Sequence, residues 1–257
     1  MQGTLGAQLY TVRESAQTPQ GIEAAFKKIH EIGYTTAQVS GLGAIEPVEL
    51  RKIADAYGVK IVITHVRPWE RFKTDLAGII KEHKILGADI VGLGGMPPEY
   101  LEGGGDGIYE FARLTQGFAD EFAKEGLKFS YHNHRHEFSR IDGKTIMEIL
   151  ASETNPANYM FTLDTYWVQA GGADPAAWLE KLKGRVDAIH IKDMNIVNNE
   201  QVMAEVLEGN LNWDAIFKAG ENSGVKWYLV EQDDCCGKDP FECLRTSYDN
   251  LKKTGFE

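Results

Sequence analysis

The chain has 257 residues, of which 43% are apolar, 25% charged and 10% aromatic, and a formal charge of −11. That length can bury a large core, as one barrel-sized domain or as two small ones. The acidic balance argues against a polyanionic partner such as nucleic acid, which needs a basic surface. No apolar run approaches the ~20 residues of a membrane span, and the first residues lack a basic stretch followed by a hydrophobic one. Neither a membrane partner nor export is therefore expected. Three cysteines, with Cys235 and Cys236 adjacent, imply no disulfide framework and fit the cytoplasm.

Strand-like segments are predicted, in chain order, at Leu5–Thr11, Thr35–Gly41, Lys60–Val66, Asp89–Gly95, Lys128–His134, Met160–Tyr166, Asp187–Asp193 and Trp227–Asp233. Amphipathic stretches alternate with them. The first, Ile22-Glu-Ala-Ala-Phe-Lys-Lys-Ile-His-Glu-Ile, repeats its apolar residues at helical spacing. Thr18-Pro19, Asp174-Pro175 and Asp239-Pro240 read as an N-cap followed by proline at the first helical position. Gly33, Gly58, Gly87, Gly126, Gly184 and Gly224 fall just after helical patterns, where a left-handed residue ends a helix.

Eight βα units without a composition break predict a single α/β domain over residues 1–257, a (β/α)8 TIM barrel. A doubly wound open sheet is the alternative. It would gather its polar strand ends at one switch point, whereas here they run from Gln8 to Glu231. Gly92-Leu-Gly-Gly does not match dinucleotide-loop spacing.

Four of these strand ends carry His132, Asp164, His190 and Glu231. Side chains alternate between the faces of a strand. Phe129 and Tyr131 oppose His132, Phe161 and Leu163 share the face opposite Asp164, Ile189 and Ile191 flank His190, and Tyr228 and Val230 oppose Glu231. If the apolar faces pack on helices, two imidazoles and two carboxylates converge in the barrel interior. That set suits a divalent cation with mixed N/O ligands. A buried histidine alone is more often a core residue, and a strand-end aspartate is often a helix cap. Four at matching depth are costly to desolvate without a purpose.

The chain resembles the sugar phosphate isomerase/epimerase superfamily of xylose isomerase-like TIM barrels, over nearly its whole length. The resemblance rests on Ala7-Gln-Leu-Tyr-Thr-Val-Arg-Glu, Tyr131-His-Asn-His-Arg-His-Glu-Phe and Leu163-Asp-Thr-Tyr-Trp. It continues in His190-Ile-Lys-Asp, Val230-Glu-Gln-Asp and Pro240-Phe-Glu…Ser247-Tyr. It implies one catalytic divalent metal held by His132, Asp164, His190 and Glu231. Mn²⁺ is the expected ion; Zn²⁺, Co²⁺, Fe²⁺ and Mg²⁺ are also compatible. The implied activity is isomerisation or epimerisation of a keto-sugar or sugar phosphate through an enediolate. The partner is then a small carbohydrate, and a homo-oligomer stays open.

The fifth strand departs from the epimerase pattern, which usually places a glutamate where this chain has His132. Two glutamates on opposite sides of the substrate normally remove and return the proton. The departure opens a second reading, a lyase or dehydratase acting on a keto-sugar, keto-glycoside or cyclitol. A non-catalytic sugar-binding barrel is the third. Glu231 is the expected base, His134 an alternative ligand or base, and Glu137 a carboxylate that could replace the missing one. Lys192 shares inward parity with His190 and could stabilise developing negative charge, unless it only bridges to Asp193 or Asp164. Gln8, His65, Trp69 and Trp167 are candidate substrate contacts, although the facing of His65 is ambiguous and tryptophans are more often simply packed. Gln38 shares inward parity. Cys235 and Cys236 read as loop thiols, with Asp233 and Asp234 either capping that loop or steadying Glu231.

Overall fold

A computed structural model describes residues 3–256. Eight parallel strands close into a barrel: β1 (Thr4–Gln8), β2 (Thr36–Val39), β3 (Lys60–His65), β4 (Ile90–Leu93), β5 (Lys128–His132), β6 (Tyr159–Asp164), β7 (Ala188–Ile191) and β8 (Trp227–Val230). Order around the ring follows the chain, and β8 closes onto β1 with Ala7 opposite Val230. The open-sheet alternative is thereby excluded.

Helices cover the outside because one face of each is apolar. In Pro19–Ile32 the buried residues are Ile22, Ala25, Phe26, Ile29 and Ile32, a single helical stripe. The outward faces of β5 to β8 meet this shell: Phe129, Tyr131, Phe161, Leu163, Ile189, Ile191, Tyr228 and Val230 are all buried in the main core. Each such side chain contributes roughly 1.5–3 kcal/mol when fully buried.

The predicted helix signals are in place. Thr18 accepts from the Gly21 amide, Asp174 from Ala176 and Ala177, and Asp239 from Phe241 and Glu242. Gly87 and Gly224 are themselves left-handed caps, at φ 67° and 81°.

All eight predicted strands exist, but most were drawn too long at their C-terminal ends. Local hydrogen bonding takes over there. After β1 the chain enters a 3-10 helix, Leu9–Ser15, whose first turn is capped by the Gln8 side chain accepting from the Tyr10 amide. Asp164 ends β6 because its carboxylate caps the helix Thr165–Ala170, accepting from the Trp167 amide at 3.0 Å.

Two hairpins were not foreseen: the short Arg140–Ile141/Lys144–Thr145 pair, and Asp193–Val197 with Glu200–Ala204 after β7. The second is fastened by Asp193. Its buried carboxylate accepts from the amides of Met194, Leu207, Gly209 and Leu211, and from Trp213 Nε1 at 2.6 Å. Among the described residues no helix is long and apolar enough to cross a membrane.

Candidate metal centre and active site

The closing of the ring brings β5, β6, β7 and β8 side by side, with Asp164 in register opposite His190. Nitrogen and carboxylate oxygen atoms of His132, Asp164, His190 and Glu231 all lie within 4.8 Å of one another, and all four residues are buried. His132 Nε2 is 3.4 Å from Asp164 Oδ2, and His190 Nδ1 is 3.7 Å from the same oxygen and 3.0 Å from Glu231 Oε2.

Partners on the far side orient each group. His132 Nδ1 donates to the Gly94 carbonyl at 3.2 Å, which leaves the Nε2 lone pair facing the cluster. His190 Nε2 donates to Gln38 Oε1 at 2.6 Å and so turns Nδ1 inward. Asp164 divides its work: Oδ1 caps the following helix while Oδ2 joins the cluster. Gln8 Nε2 donates to Glu231 Oε1 and leaves Oε2 in the centre.

Lys192 is fully buried among these acids. Its ammonium lies 3.0 Å from Asp164 Oδ2, 2.8 Å from Glu231 Oε2 and 2.8 Å from Asp233 Oδ2. The bridge to Asp193 considered above does not form, because Asp193 is occupied by the hairpin. Burial pulls the Lys192 ammonium toward neutrality, but Asp164, Glu231 and Asp233 outweigh it and raise its pKa well above normal. For Glu231, burial favours the acid while Lys192 and His190 together hold it well below the usual carboxylate range. Burial also opposes the charge on His190, yet Glu231 and Asp164 raise its pKa to about 9. Asp233, pushed up by burial and by Glu231, reaches about 6.

Three carboxylates face the Lys192 ammonium and the His190 imidazole, so negative charge stays in excess even with His190 protonated. Among the described residues His190 Nδ1 and Glu231 Oε2 are buried without a hydrogen-bond partner, although they lie only 3.0 Å apart. A divalent cation would satisfy both atoms and the charge, and the two-nitrogen, two-oxygen donor set is suited to one.

A cavity of about 260 Å³ opens on this centre, lined by Gln8, His65, His132, His134, Trp167, Lys192, Glu231 and Asp233, with Tyr10, Arg13, Ser40, Arg67 and Gly94 completing the wall. His65 faces inward: its Nδ1 is 3.2 Å from Ser40 Oγ and its ring centroid 5.3 Å from that of His132. His134 is pushed down to about 4 by burial and by His132, so it is a neutral imidazole.

Two candidates lie elsewhere. Trp69 packs among Phe72, Tyr100, Phe111 and Phe118, outside the cavity wall; its position after β3 belongs to a helical aromatic cluster. Glu137 is fully buried and bonded to the Tyr131 hydroxyl and to the His134 amide at 2.8 Å. Its carboxylate is not part of the cavity wall and does not supply the missing base there.

Sequence reasoning did not single out Tyr10, Arg13 and Arg67, and it left Asp233 as a loop cap or support. Asp234 takes the capping role, accepting from the Cys236 amide at 2.8 Å, while Asp233 faces Lys192. The Arg13 guanidinium stacks 4.2 Å from the Tyr10 ring centroid and donates to the Asp233 carbonyl, tying β1 to the β8 loop. The thiols of Cys235 and Cys236 do not line the cavity.

A family description of the xylose isomerase-like TIM barrel matches residues 26–253. Inosose dehydratase of Clostridium beijerinckii is 27% identical over 169 residues, covering 59% of this chain and 54% of that protein. The chain thus spans about half the length of the curated relatives it matches. A sugar phosphate isomerase/epimerase from Parabacteroides distasonis superimposes with a TM-score of 0.82 at 23% identity, covering 99% of both chains. D-allulose 3-epimerase from Methylomonas sp. does so with a TM-score of 0.71 at 14% identity, covering 98% of both. With the closed barrel in place and a match over most of its length, the chain belongs to the xylose isomerase-like TIM barrel family.

Proposed function

We propose that this protein is a divalent-metal-dependent enzyme of the sugar isomerase/epimerase type, which removes the proton next to the carbonyl of a polyhydroxylated ketone. The observation that carries this reading is the buried set His132, Asp164, His190 and Glu231, whose ligand atoms converge within 4.8 Å of one another beneath a polar cavity of sugar size. A purely sugar-binding barrel has no use for a converging set of two imidazoles and two carboxylates at that depth, which is costly to desolvate.

When bound, the ion supplies Lewis-acid polarisation of the carbonyl and its neighbouring hydroxyl. Glu231, fixed by Gln8, accepts the α-proton as the C–H pair moves into the enediolate. Lys192, held by Asp164 and Asp233, stabilises the oxyanion that develops. Trp167 offers a ring face at the cavity wall, and His65 and Gln8 offer polar contacts for hydroxyls.

From the enediolate the geometry favours elimination over epimerisation. Epimerisation between two glutamates requires a second carboxylate across the substrate, and the fifth-strand side of the cavity wall offers none, since Glu137 is turned into the protein. Elimination needs no second base: the proton that Glu231 takes from the α-carbon can pass to the departing β-hydroxyl, so that the C–O bond breaks, water leaves and Glu231 is again a carboxylate. The inosose dehydratases among the relatives carry out a reaction of this type by name.

The test is deuterium incorporation from heavy water into keto-sugars and cyclitol ketones, with product analysis. Wild-type protein should exchange the α-proton and release water from a β-hydroxy ketone. Glu231→Gln should abolish exchange. Exchange undiminished in that variant would overturn the role of Glu231, and a product epimeric at the α-carbon without loss of water would restore the epimerase outcome.

A further inference from the structure

The unpaired-atom signature of the main centre recurs one step further out along the fifth-strand segment. His134, His136 and Glu137 bring a ligand atom each to within 4.8 Å of one another. His134 Nδ1 and His136 Nε2 are buried atoms with no hydrogen-bond partner among the described residues. The two imidazole rings lie nearly parallel, 10° apart, with centroids separated by 5.6 Å. His136 Nε2 stands 3.1 Å from Glu137 Oε1, yet the pair lacks the alignment of a hydrogen bond.

That distance has a simple reading. Two ligand bonds of roughly 2.1 Å whose outer atoms are 3.1 Å apart subtend about 95° at a shared ion. Glu137 is already oriented for the purpose: the Tyr131 hydroxyl and the His134 amide both donate to it. Its fully buried charge faces no lysine or arginine in these contacts, so a cation there would offset the desolvation of the carboxylate.

We propose that His134, His136 and Glu137 form a second divalent-cation site, distinct from the buried centre on β5 to β8 and suited by its two imidazoles and one carboxylate to Zn²⁺. His134 lines the active-site cavity, so an ion on its Nδ1 fixes the remaining ring proton on Nε2. The site therefore sets the tautomer of an imidazole at the cavity wall. Zinc binding is independent of the reaction proposed above; only this consequence for catalysis rests on it.

Metal-depleted protein is dialysed against low-micromolar Zn²⁺ and its zinc is counted by mass spectrometry. The variants are His136→Ala and His136→Gln, each in the wild-type and the Asp164→Ala background. His136 lies at the partly exposed edge of the cluster, and thermal unfolding checks that each variant is folded. Removing His136 should cost about one equivalent of zinc in both backgrounds, whatever the Asp164 centre retains. The same zinc content with and without His136 in both backgrounds would overturn the second site and leave the main centre untouched.

Discussion

Two layers of side chains fill the barrel, one pleat apart on the same strands. The upper layer holds His65, His132, Asp164, His190 and Glu231. Two residues earlier, and so ~6.6 Å lower, lie Ile63, Ser130, Thr162, Ala188 and Leu229. Ile63, Ala188 and Leu229 pack with Ile90 as an apolar plug, and Ser130 and Thr162 satisfy each other at 2.7 Å. The upper layer is different in kind: His65 Nε2, His190 Nδ1 and Glu231 Oε2, with Nε2 of the neighbouring Gln38, are left without hydrogen-bond partners among the described residues. One pleat separates side chains that close the fold from side chains that keep capacity for a ligand.

Substitutions in the two layers should therefore fail differently. The largest effect is expected for Lys192→Met. It removes a fully buried ammonium from among three carboxylates, two of them buried, and should cost about 3–5 kcal/mol of stability in metal-free protein. A divalent ion should recover more of that loss in the variant than it adds to wild type. Denaturant titrations with and without Mn²⁺ measure both; a cost near zero would show that Lys192 is not balancing the acids.

Leu229→Ala, one pleat below Glu231, should cost about 2–4 kcal/mol through the cavity it leaves. Its Mn²⁺ stoichiometry should nevertheless equal that of wild type. Loss of the ion in a folded Leu229→Ala protein would erase the distinction between the layers.

The fifth-strand ligand sharpens the boundary further. His132→Ala should weaken Mn²⁺ by at least about 100-fold, roughly 2.7 kcal/mol, while His134→Ala should leave Mn²⁺ affinity near that of wild type. The reverse result would move the ligand outward by one pleat. The smallest effect is Ser130→Ala. It removes a buried hydroxyl pair and should cost about 1 kcal/mol, without change in metal affinity.

Strand parity is enough to place four of the five upper-layer residues, because Phe161 and Leu163 or Ile189 and Ile191 fix which way Asp164 and His190 must face; it leaves His65 open, since Ile61, Val62 and Ile63 are all apolar. Glycine and Asx-proline signals located the helices for equally local reasons. The reading weakened where side chains compete with the backbone. Gln8 and Asp164 cap the turns that end their strands, so the strands stop early. Asp193 gathers one donor from its own hairpin and four from the segment between Leu207 and Trp213 that follows it, a set with no period of its own in the sequence. Glu137 looks available from its place beyond β5, but hydrogen bonds from the Tyr131 hydroxyl and the His134 amide turn it away from the cavity. Arg13 could not be read as part of the cavity wall from chain position, since its contact with Asp233 spans 220 residues.

The central claim is that the four upper-layer residues of β5 to β8 hold one divalent ion. Manganese titration followed by electron paramagnetic resonance tests it most directly, because free Mn²⁺ is counted against bound. Wild-type protein should take up about one Mn²⁺ per chain, and Asp164→Ala and Glu231→Ala should each lose it while remaining folded. Undiminished Mn²⁺ uptake in both variants would contradict the account.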